Sequence, residues 1–203
     1  MERLPRRFYA RPATEVAPDL LGKLLVHVTP EGTAGGYIVE TEAYMGPQDK
    51  AAHSYGGRPT QRTRAMFGPP GHAYVYLIYG MYYCFNVVVA REGEPQAVLI
   101  RALEPAAGVE LMARRRGKSP AAAQKLLADP RKLRTLTDGP GKLYQALGIT
   151  QAQYGLDLTG DELFLTPGRS VDPADIRTTP RINVAYAGEW AQRPWRFLLP
   201  AGR

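Results

Sequence analysis

The spacing of apolar and polar residues predicts a chain in which strands and short helices follow one another irregularly. Residues 13–32 indicate a short helix, capped by Thr14, that ends near Gly22 and is followed by a strand through Val28. Further segments have the pattern of strands. These predicted strands cover residues 35–46, 94–105, 162–168 and 195–200.

Residues 74–89, YVYLIYGMYYCFNVVV, form a strongly aromatic segment with five tyrosines and one phenylalanine. We predict a β-hairpin with the two-residue loop Gly80-Met81, because glycine tolerates the positive φ that such loops require. Tyr79 then lies beside the tip, where core packing covers a side chain least. The segment is compatible with a buried core hairpin and with a projecting tip that inserts between stacked bases.

Two regions outside the strands have distinct patterns. Residues 51–71 are rich in glycine, proline and arginine and are predicted to be mostly loop, and long loops inside compact domains are often functional. Residues 106–128 turn helical and carry a basic cluster at 114–116. In residues 138–149, glycine and proline precede a short helix. The first N–H groups of this helix and Lys142 could hold a phosphate. In isolation, an ordinary helix start is the simpler interpretation of that segment.

The order of these elements predicts the fold class. No internal repeat, low-complexity tract or clear linker divides the chain, so residues 1–203 are expected to form one domain. The strands and helices do not alternate as βαβ units, and no glycine-rich nucleotide-binding loop follows a strand. We predict an α+β fold with a curved antiparallel β-sheet, a protruding β-hairpin and surrounding helices.

Composition excludes several classes of protein. The 203 residues are 44% hydrophobic and 22% charged, which is sufficient for a substantial core. No apolar run reaches the roughly eighteen residues of a membrane span, and the N-terminus lacks the apolar region of a secretory signal. One cysteine, Cys84, cannot form an internal disulfide, and one cysteine with three histidines does not suggest a zinc site. These features are typical of a cytoplasmic protein.

The chain is basic, with a net charge of +7, and arginine supplies 20 of its 26 basic residues. Positive proteins attract polyanions, and the planar guanidinium group pairs well with phosphate oxygens. The alternative is arginine-rich codon usage with an ordinary solvated basic face. Charge therefore makes nucleic acid a partner to test, and other residues must decide.

Strand periodicity in 35–46 places four side chains on one face: Ile38, Glu40, Glu42 and Tyr44. Glutamates at a sheet edge are usually solvated, which is the ordinary explanation. A glutamate held among apolar and aromatic side chains could instead be a general base that activates water. The distance between Glu40 and Glu42 also fits the carboxylate pair of an inverting glycosidase, although any two residues at alternate positions of a strand have that distance.

Five blocks of the sequence together resemble the alkyladenine (3-methyladenine) DNA glycosylase family. They are VETEAYMGPQDKAAHS, YVYLIYGMYYCFNV, LIRALEP, GPGKLYQALGI and AGEWAQRPWRF, and the likeness runs from about Phe8 to Phe197. A single TEAY motif would carry little weight, but five ordered blocks do not match by chance. The resemblance implies an enzyme that flips alkylated or deaminated purines out of duplex DNA and hydrolyses the N-glycosidic bond. Its substrates would be of the 3-methyladenine, 7-methylguanine, hypoxanthine and ethenoadenine class.

The resemblance also implies roles for individual residues of the site. Glu42 would be the general base that deprotonates the attacking water, and Glu40 a supporting structural residue. Tyr44 and Tyr76 would enclose the flipped base together with His53.

Other implied roles concern the choice of base and the duplex around it. Tyr79 would fill the gap left in the stack, and Asn86 would reject the 2-amino group of unmodified guanine. Arg101 would hold the water or a neighbouring phosphate, and Met66 is a candidate second insert. The candidate phosphate contacts are basic residues in or near the matched blocks: Arg58, Arg62, Arg64 and Lys142. An arginine in such a loop is solvated by default.

The implied chemistry is simple. A purine alkylated at N3 or N7 is cationic and leaves without much acid assistance, so one base and an aromatic slot are sufficient. No lysine of the matched blocks is identified as a Schiff-base nucleophile, which implies a monofunctional enzyme that leaves an abasic site and needs no metal or organic cofactor. Neutral lesions such as hypoxanthine need a proton on the leaving purine, and the sequence names no acid for that step. The expected partner is double-stranded DNA with a damaged purine, bound by a monomer that associates with the nucleoid if the source is bacterial.

Two alternatives remain open. A protein of this fold could bind damaged DNA without cleaving it, but a binder needs no general base at Glu42. An RNA-binding or tRNA-modifying protein could also use aromatic strands and basic loops, although a projecting tip favours duplex DNA. The resemblance is weaker before AGEW, where Tyr186 stands in a position at which histidine is common in vertebrate members of the family. This departure leaves the substrate range open.

Overall fold

One antiparallel β-sheet organises the protein, whose computed structural model describes residues 2–200. Its strands are β1 (Leu24–Thr29), β2 (Gly32–Tyr44), β3 (Ala73–Ile78), β4 (Tyr82–Val89), β5 (Gln96–Ala107), β6 (Leu163–Thr166), β7 (Arg177–Thr179) and β8 (Arg196–Leu198). The strand order is β3-β4-β5-β2-β1-β6, and β8 pairs with both β2 and β7. The predicted α+β fold with a curved antiparallel sheet is confirmed.

Short helices surround the sheet. The α-helices are α1 (Arg6–Tyr9), α2 (Ala13–Asp19), α3 (Val109–Arg115), α4 (Pro120–Leu127), α5 (Pro130–Leu133) and α6 (Pro140–Leu147). Short 3₁₀ turns lie at Arg64–Phe67, Arg134–Leu136, Gln151–Gln153 and Pro173–Asp175, and Ala185–Gln192 contains two 3₁₀ segments separated by a kink at Gly188. No helix within residues 2–200 is long and apolar enough to cross a membrane.

The hydrophobic core lies between one face of the sheet and helices α2, α3 and α6. Side chains of β2, β4 and β5 pack there against Leu20, Met112 and Leu147, which are fully buried. β2 is central to this arrangement, because it pairs with β1 over its first half, with β5 over most of its length and with β8 near its end. The opposite face of its last residues remains available for a site.

The prediction that Ile38 shares a face with Glu42 is wrong because the pairing of β2 with β5 is irregular. The register shifts between Ile38 and Glu40 and again between Glu40 and Thr41. An inserted residue reverses which face the following side chains occupy. Ile38 and Ala43 therefore both pack in the core, while Glu42 lies on the opposite face.

Two predicted helix boundaries also change. α2 begins directly after Pro12, which occupies the N-cap position, and no side chain caps it. Thr14 is consequently inside the first turn and is not the cap.

The helix expected at 106–128 is divided. β5 continues to Ala107, and α3 ends before Gly117, which has a positive φ of 67°. Ser119 then caps α4 by accepting the N–H of Ala122, with Pro120 at the first helical position. A glycine in the left-handed region followed by a cap and a proline ends one helix and begins another.

The other predicted elements are present with boundaries that differ by a few residues, whereas α1, α5 and β7 were not predicted. β2, β5, β6 and β8 occupy the expected strands, the hairpin is β3 and β4, and α6 occupies 138–149. Residues 51–71 form turns and one 3₁₀ turn, as expected for a long loop.

Candidate active site

The β3–β4 hairpin ends in an exposed aromatic turn. Its loop has three residues, Tyr79 to Met81, and not the predicted two, since Ile78 pairs with Tyr82. Tyr79 and Gly80 both have positive φ values, 54° and 67°, and the N–H of Met81 donates to the Ile78 carbonyl at 3.2 Å. Tyr79 is therefore in the turn itself, and it is 71% exposed.

Helix α6 supports this hairpin from one side. The Tyr144 hydroxyl donates to the Met81 carbonyl at 3.0 Å, and the rings of Tyr82 and Tyr83 contact Tyr144 edge-on. Gly141 permits the close approach, because a Cβ at that position would lie 3.3 Å from the Tyr82 ring. The tip is thus exposed but held by aromatic contacts at its base.

A cavity of about 420 Å³ opens between the hairpin, the end of β2, the long loop and residues 182–186. This volume is within the range of small-molecule sites, about 300–1,000 Å³. Nine of the predicted site residues line it: Glu42, Tyr44, His53, Arg62, Met66, Tyr76, Tyr79, Asn86 and Arg101. Arg58, Arg64 and Lys142 lie outside its lining.

Glu42 is fully buried, and each oxygen of its carboxylate has a donor. The Tyr44 hydroxyl donates to Oε2 at 2.9 Å, and the backbone N–H of Ile182 donates to Oε1 at 2.7 Å. Arg101 Nη1 lies 3.5 Å from the same Oε1. A carboxylate has about four lone-pair positions, so these contacts orient Glu42 and still leave it able to accept a proton from water.

Glu40 has a different environment from Glu42. Its Oε1 accepts hydrogen bonds from Arg101 Nε and Arg196 Nε, each at 2.7 Å. Two guanidinium groups therefore compensate its charge, and it holds Arg101 beside Glu42. The Arg101 side chain is only 13% exposed, which places it within the cavity wall.

Tyr44 remains a hydrogen-bond donor under all ordinary conditions. Burial, followed by the negative charge of Glu42, raises the pKa of its hydroxyl well above the usual value. Burial likewise raises the pKa values of Tyr74 and Tyr76. The cavity is consequently lined by neutral phenols that can donate protons in hydrogen bonds but do not add negative charge.

Aromatic rings form the walls of the cavity. The His53 and Tyr76 ring centres are 4.5 Å apart with the rings nearly perpendicular, and the Tyr74 ring centre is 5.4 Å from that of Tyr76. His53 is exposed to the open cavity, although the protein packs densely around the imidazole, and its Nδ1 is 2.9 Å from the Tyr74 hydroxyl. Loss of solvent, and then the positive charge of Arg62, lower the pKa of His53 to about 4. The imidazole is therefore neutral near pH 7.

The arginines of the long loop, which are candidate phosphate contacts, are exposed. Arg62 Cζ lies 5.0 Å from the centre of the Tyr76 ring, so this guanidinium contacts the cavity wall. Tyr154 anchors the loop, since its hydroxyl contacts the carbonyls of Gln61 and Arg62 and accepts the N–H of Ala65. Lys142 is at the start of α6, where its Nζ donates to Asp138 at 2.6 Å.

The structure contradicts the expectation that Met66 inserts into DNA. Its side chain is 1% exposed and packs against Tyr74, Val88 and Ala97. A side chain held in this way stabilises the cavity wall and has no projecting end. The sequence alone did not distinguish the buried Met66 from the exposed residues of the same loop.

Asn86 is hydrogen-bonded within the hairpin and also lies at the cavity. It is 3% exposed, and its Nδ2 donates to the Tyr74 carbonyl at 3.0 Å across the hairpin. The residue also lines the cavity. Within residues 2–200 no donor lies at hydrogen-bonding distance from its Oδ1, so one end of the amide is fixed by the backbone and the other is not.

Sequence reasoning missed Asp49, Arg181 and Ile182. Arg181 and Asp49 form an ion pair with fully buried side chains, and Ile182 supplies the backbone donor to Glu42. Asp49 lies within the first matched block, but nothing in its local sequence marks it as buried. Arg181 is one of 20 arginines, and only tertiary structure separates it from the exposed ones.

Sequence relatives of the chain identify its family. The family model described as methylpurine-DNA glycosylase matches residues 7–203. Proteins named "Putative 3-methyladenine DNA glycosylase" are 52% identical in Bacillus cytotoxicus, over 96% of this chain and 95% of that protein, and 48% identical in Alkaliphilus oremlandii, over 97% and 95%. A protein of the same name from Clostridium acetobutylicum is 47% identical over 99% of this chain and 96% of its own length. The chain therefore belongs to the methylpurine-DNA glycosylase family, whose members are DNA glycosylases of base excision repair.

Proposed function

We propose that this chain removes alkylated or deaminated purines from double-stranded DNA by flipping the nucleotide and hydrolysing its N-glycosidic bond. The observation that carries the proposal is the fully buried Glu42 carboxylate in an aromatic cavity, directly beside an exposed tyrosine turn. The lesions would be of the 3-methyladenine, 7-methylguanine, hypoxanthine and ethenoadenine class. The enzyme would act as a cytoplasmic monomer on chromosomal DNA.

Base flipping needs favourable contacts that replace those lost in the duplex. Stacking of a base on an aromatic ring contributes about 1–3 kcal/mol, and unstacking costs a few kcal/mol. Tyr76, His53 and Tyr44 offer rings to the flipped base, and Tyr79 is exposed at the tip where it could occupy the vacated position. These contacts support flipping as the route to the cavity.

The proposed reaction is a hydrolysis with Glu42 as general base. Water positioned between Glu42 and Arg101 transfers a proton to the carboxylate as its oxygen attacks the anomeric carbon of the sugar. The bond to the purine breaks, and a cationic alkylpurine leaves as a neutral base. Neutral His53 does not repel such a cation, because its lowered pKa keeps the imidazole uncharged.

The cavity also supports a monofunctional enzyme. No lysine is among the residues of the described chain that line it. A lyase step by Schiff-base formation needs an amine nucleophile at the sugar. We therefore infer that the product is an abasic site in an unbroken strand, formed without a metal or an organic cofactor.

A single duplex experiment tests this function. We expect the protein to leave an alkali-labile site at one hypoxanthine or one methylated purine, so that strand cleavage is seen only after hot alkali. Cleavage without alkali would contradict the monofunctional assignment. Lesion binding with no alkali-labile site on either substrate would instead support a damage-binding protein without glycosylase activity.

Asn86→Ser is expected to widen the substrate range. The fixed Asn86 amide lines the cavity, and we propose that it obstructs the 2-amino group of guanine. Removing an obstructing group relaxes selection against the excluded ligand. Excision of undamaged or mismatched guanine should therefore rise, with hypoxanthine excision reduced less than tenfold.

The two Asn86→Ser rates should be compared under single-turnover conditions on matched oligonucleotides. The Nδ2 bond to Tyr74 makes a purely structural role a real alternative, because loss of a buried hydrogen bond costs about 1–3 kcal/mol. Reduced folding stability without any increase in guanine excision would show that Asn86 only joins the two strands.

A further inference from the structure

Asp49 and Arg181 form a fully buried ion pair behind the cavity wall. Arg181 Nη1 donates to Asp49 Oδ2 at 2.6 Å, Nη2 donates to Oδ1 at 2.9 Å, and neither side chain is exposed. Removing two charges from water is unfavourable unless geometry and further hydrogen bonds compensate. Further bonds are present on both partners of this pair.

The pair joins separate segments of the chain around the end of β2. Asp49 accepts the backbone N–H groups of Met45 and Ala51, each at 3.0 Å. Arg181 donates to the carbonyl of Ala43 at 3.0 Å and to that of Trp190 at 3.2 Å. This guanidinium group thereby connects three segments: the end of β2, the loop that follows β2 and the segment before β8.

Arg181 stands directly behind both hydrogen-bond donors of Glu42. The next residue, Ile182, donates its N–H to Glu42 Oε1 at 2.7 Å. The other donor is Tyr44, and the Arg181 Cζ lies 4.8 Å from the centre of the Tyr44 ring. Arg181 makes no hydrogen bond to the Glu42 carboxylate, so it can influence Glu42 only through these two neighbours or through its charge.

We propose that Arg181, fixed by Asp49, is a positioning residue that orients the Glu42 carboxylate for proton transfer. This inference rests on the proposed role of Glu42 as general base. A base must be held within hydrogen-bond reach of the water it activates, and small displacements slow the chemical step. Of the three rings proposed to receive the flipped base, Arg181 contacts Tyr44, whereas His53 and Tyr76 are held by contacts with other residues, so changing Arg181 should affect the rate of excision much more than lesion affinity.

Arg181→Lys tests this separation. Lysine keeps the positive charge, but a single ammonium cannot form the two-pronged bond to Asp49 and also reach both carbonyls. We expect the single-turnover excision rate on a duplex with one hypoxanthine to fall at least fivefold. Affinity for the same duplex is measured without cleavage, by comparing Glu42→Gln with Glu42→Gln/Arg181→Lys, and should change less than threefold.

Arg115→Lys is the matched control. The Arg115 side chain is 10% exposed and also connects segments, through the Leu147 carbonyl, the Thr29 hydroxyl and the Glu31 carboxylate. It does not line the cavity, so its excision rate should stay within twofold at a temperature at which both variants are folded. If Arg181→Lys does not fold, Asp49→Glu replaces it, because the carboxylate still compensates the buried charge of Arg181 while the longer side chain disturbs the two-pronged geometry.

Three results would overturn the proposal: a rate loss smaller than fivefold, an affinity loss as large as the rate loss, or an equal rate loss in Arg115→Lys. An equal affinity loss would mean that Arg181 shapes the base-binding walls. An equal rate loss in Arg115→Lys would mean that changing any buried arginine slows excision. Failure of the proposed function is recognised separately, because either the wild type would then leave no alkali-labile site or Glu42→Gln alone would retain excision activity.

Discussion

Glu42→Gln is expected to lower base excision by about 10²–10⁴-fold, the usual contribution of a general base, and to leave lesion binding nearly unchanged. The amide cannot take a proton from water. Its oxygen can still accept the Ile182 N–H, and its NH₂ group can face Tyr44, whose hydroxyl rotates to accept. The cavity should therefore keep its shape.

Single-turnover excision and duplex affinity should both be measured for this variant. A rate within about tenfold of the wild type, equivalent to roughly 1.4 kcal/mol, would show that Glu42 is not the base. Glu40→Gln is the control and should be much milder. Glu40 already interacts with two arginines and does not line the cavity, so its substitution weakens the support of Arg101 without removing the proton acceptor.

Affinity for undamaged duplex is expected to fall about a hundredfold when salt rises from 50 to 200 mM. Each phosphate contact adds about −0.9 to the slope of log affinity against log salt, so the four candidate contacts give a slope of about −3.6. These contacts are Arg58, Arg62, Arg64 and Lys142. A flat profile would contradict the assignment of DNA as partner.

Single substitutions can then locate the contacts. Arg62→Ala and Arg64→Ala should each weaken all duplexes alike and reduce the slope by about 0.9, because phosphate contacts carry no sequence information. Arg114→Ala is the matched control. Arg114 is an exposed arginine paired with Glu31, beside the start of β2 and, at about 3.3 Å per residue, roughly 30 Å along the strand from Glu42. An unchanged slope in both loop variants, or an equal decrease in the control, would remove the loop from the DNA interface.

The strands and the hairpin could be predicted because their causes are local. β-Branched and aromatic residues favour extended backbone, and Gly80 permits the positive φ of the turn. The number of residues in that turn depends on the pairing of Ile78 with Tyr82, which spacing alone did not determine. The proposed role of Glu42 was likewise predicted from the ordered blocks, and the structure shows which side of the sheet its carboxylate occupies.

Two features of the site were decided only by contacts between distant segments. The irregular pairing of β2 with β5 separates Ile38 from Glu42, although both follow one alternating pattern. Met66 is buried by residues of β3, β4 and β5, so its place on a polar loop gave the wrong expectation. Local sequence does not encode which side chains a later strand will cover.

What the sequence by itself determined is most of the strands and the aromatic hairpin, because each follows from neighbours within a few positions. The glutamate on which the proposed chemistry depends was identified by the resemblance of the ordered blocks. What only the tertiary structure decided is the support of that glutamate. Arg181 and Asp49 are 132 residues apart in the chain, and their bond exists only after the end of β2 and the segment before β8 are brought together. Burial then fixes these two charged side chains in place, because separating the pair would leave an unpaired charge inside the protein, which is strongly unfavourable.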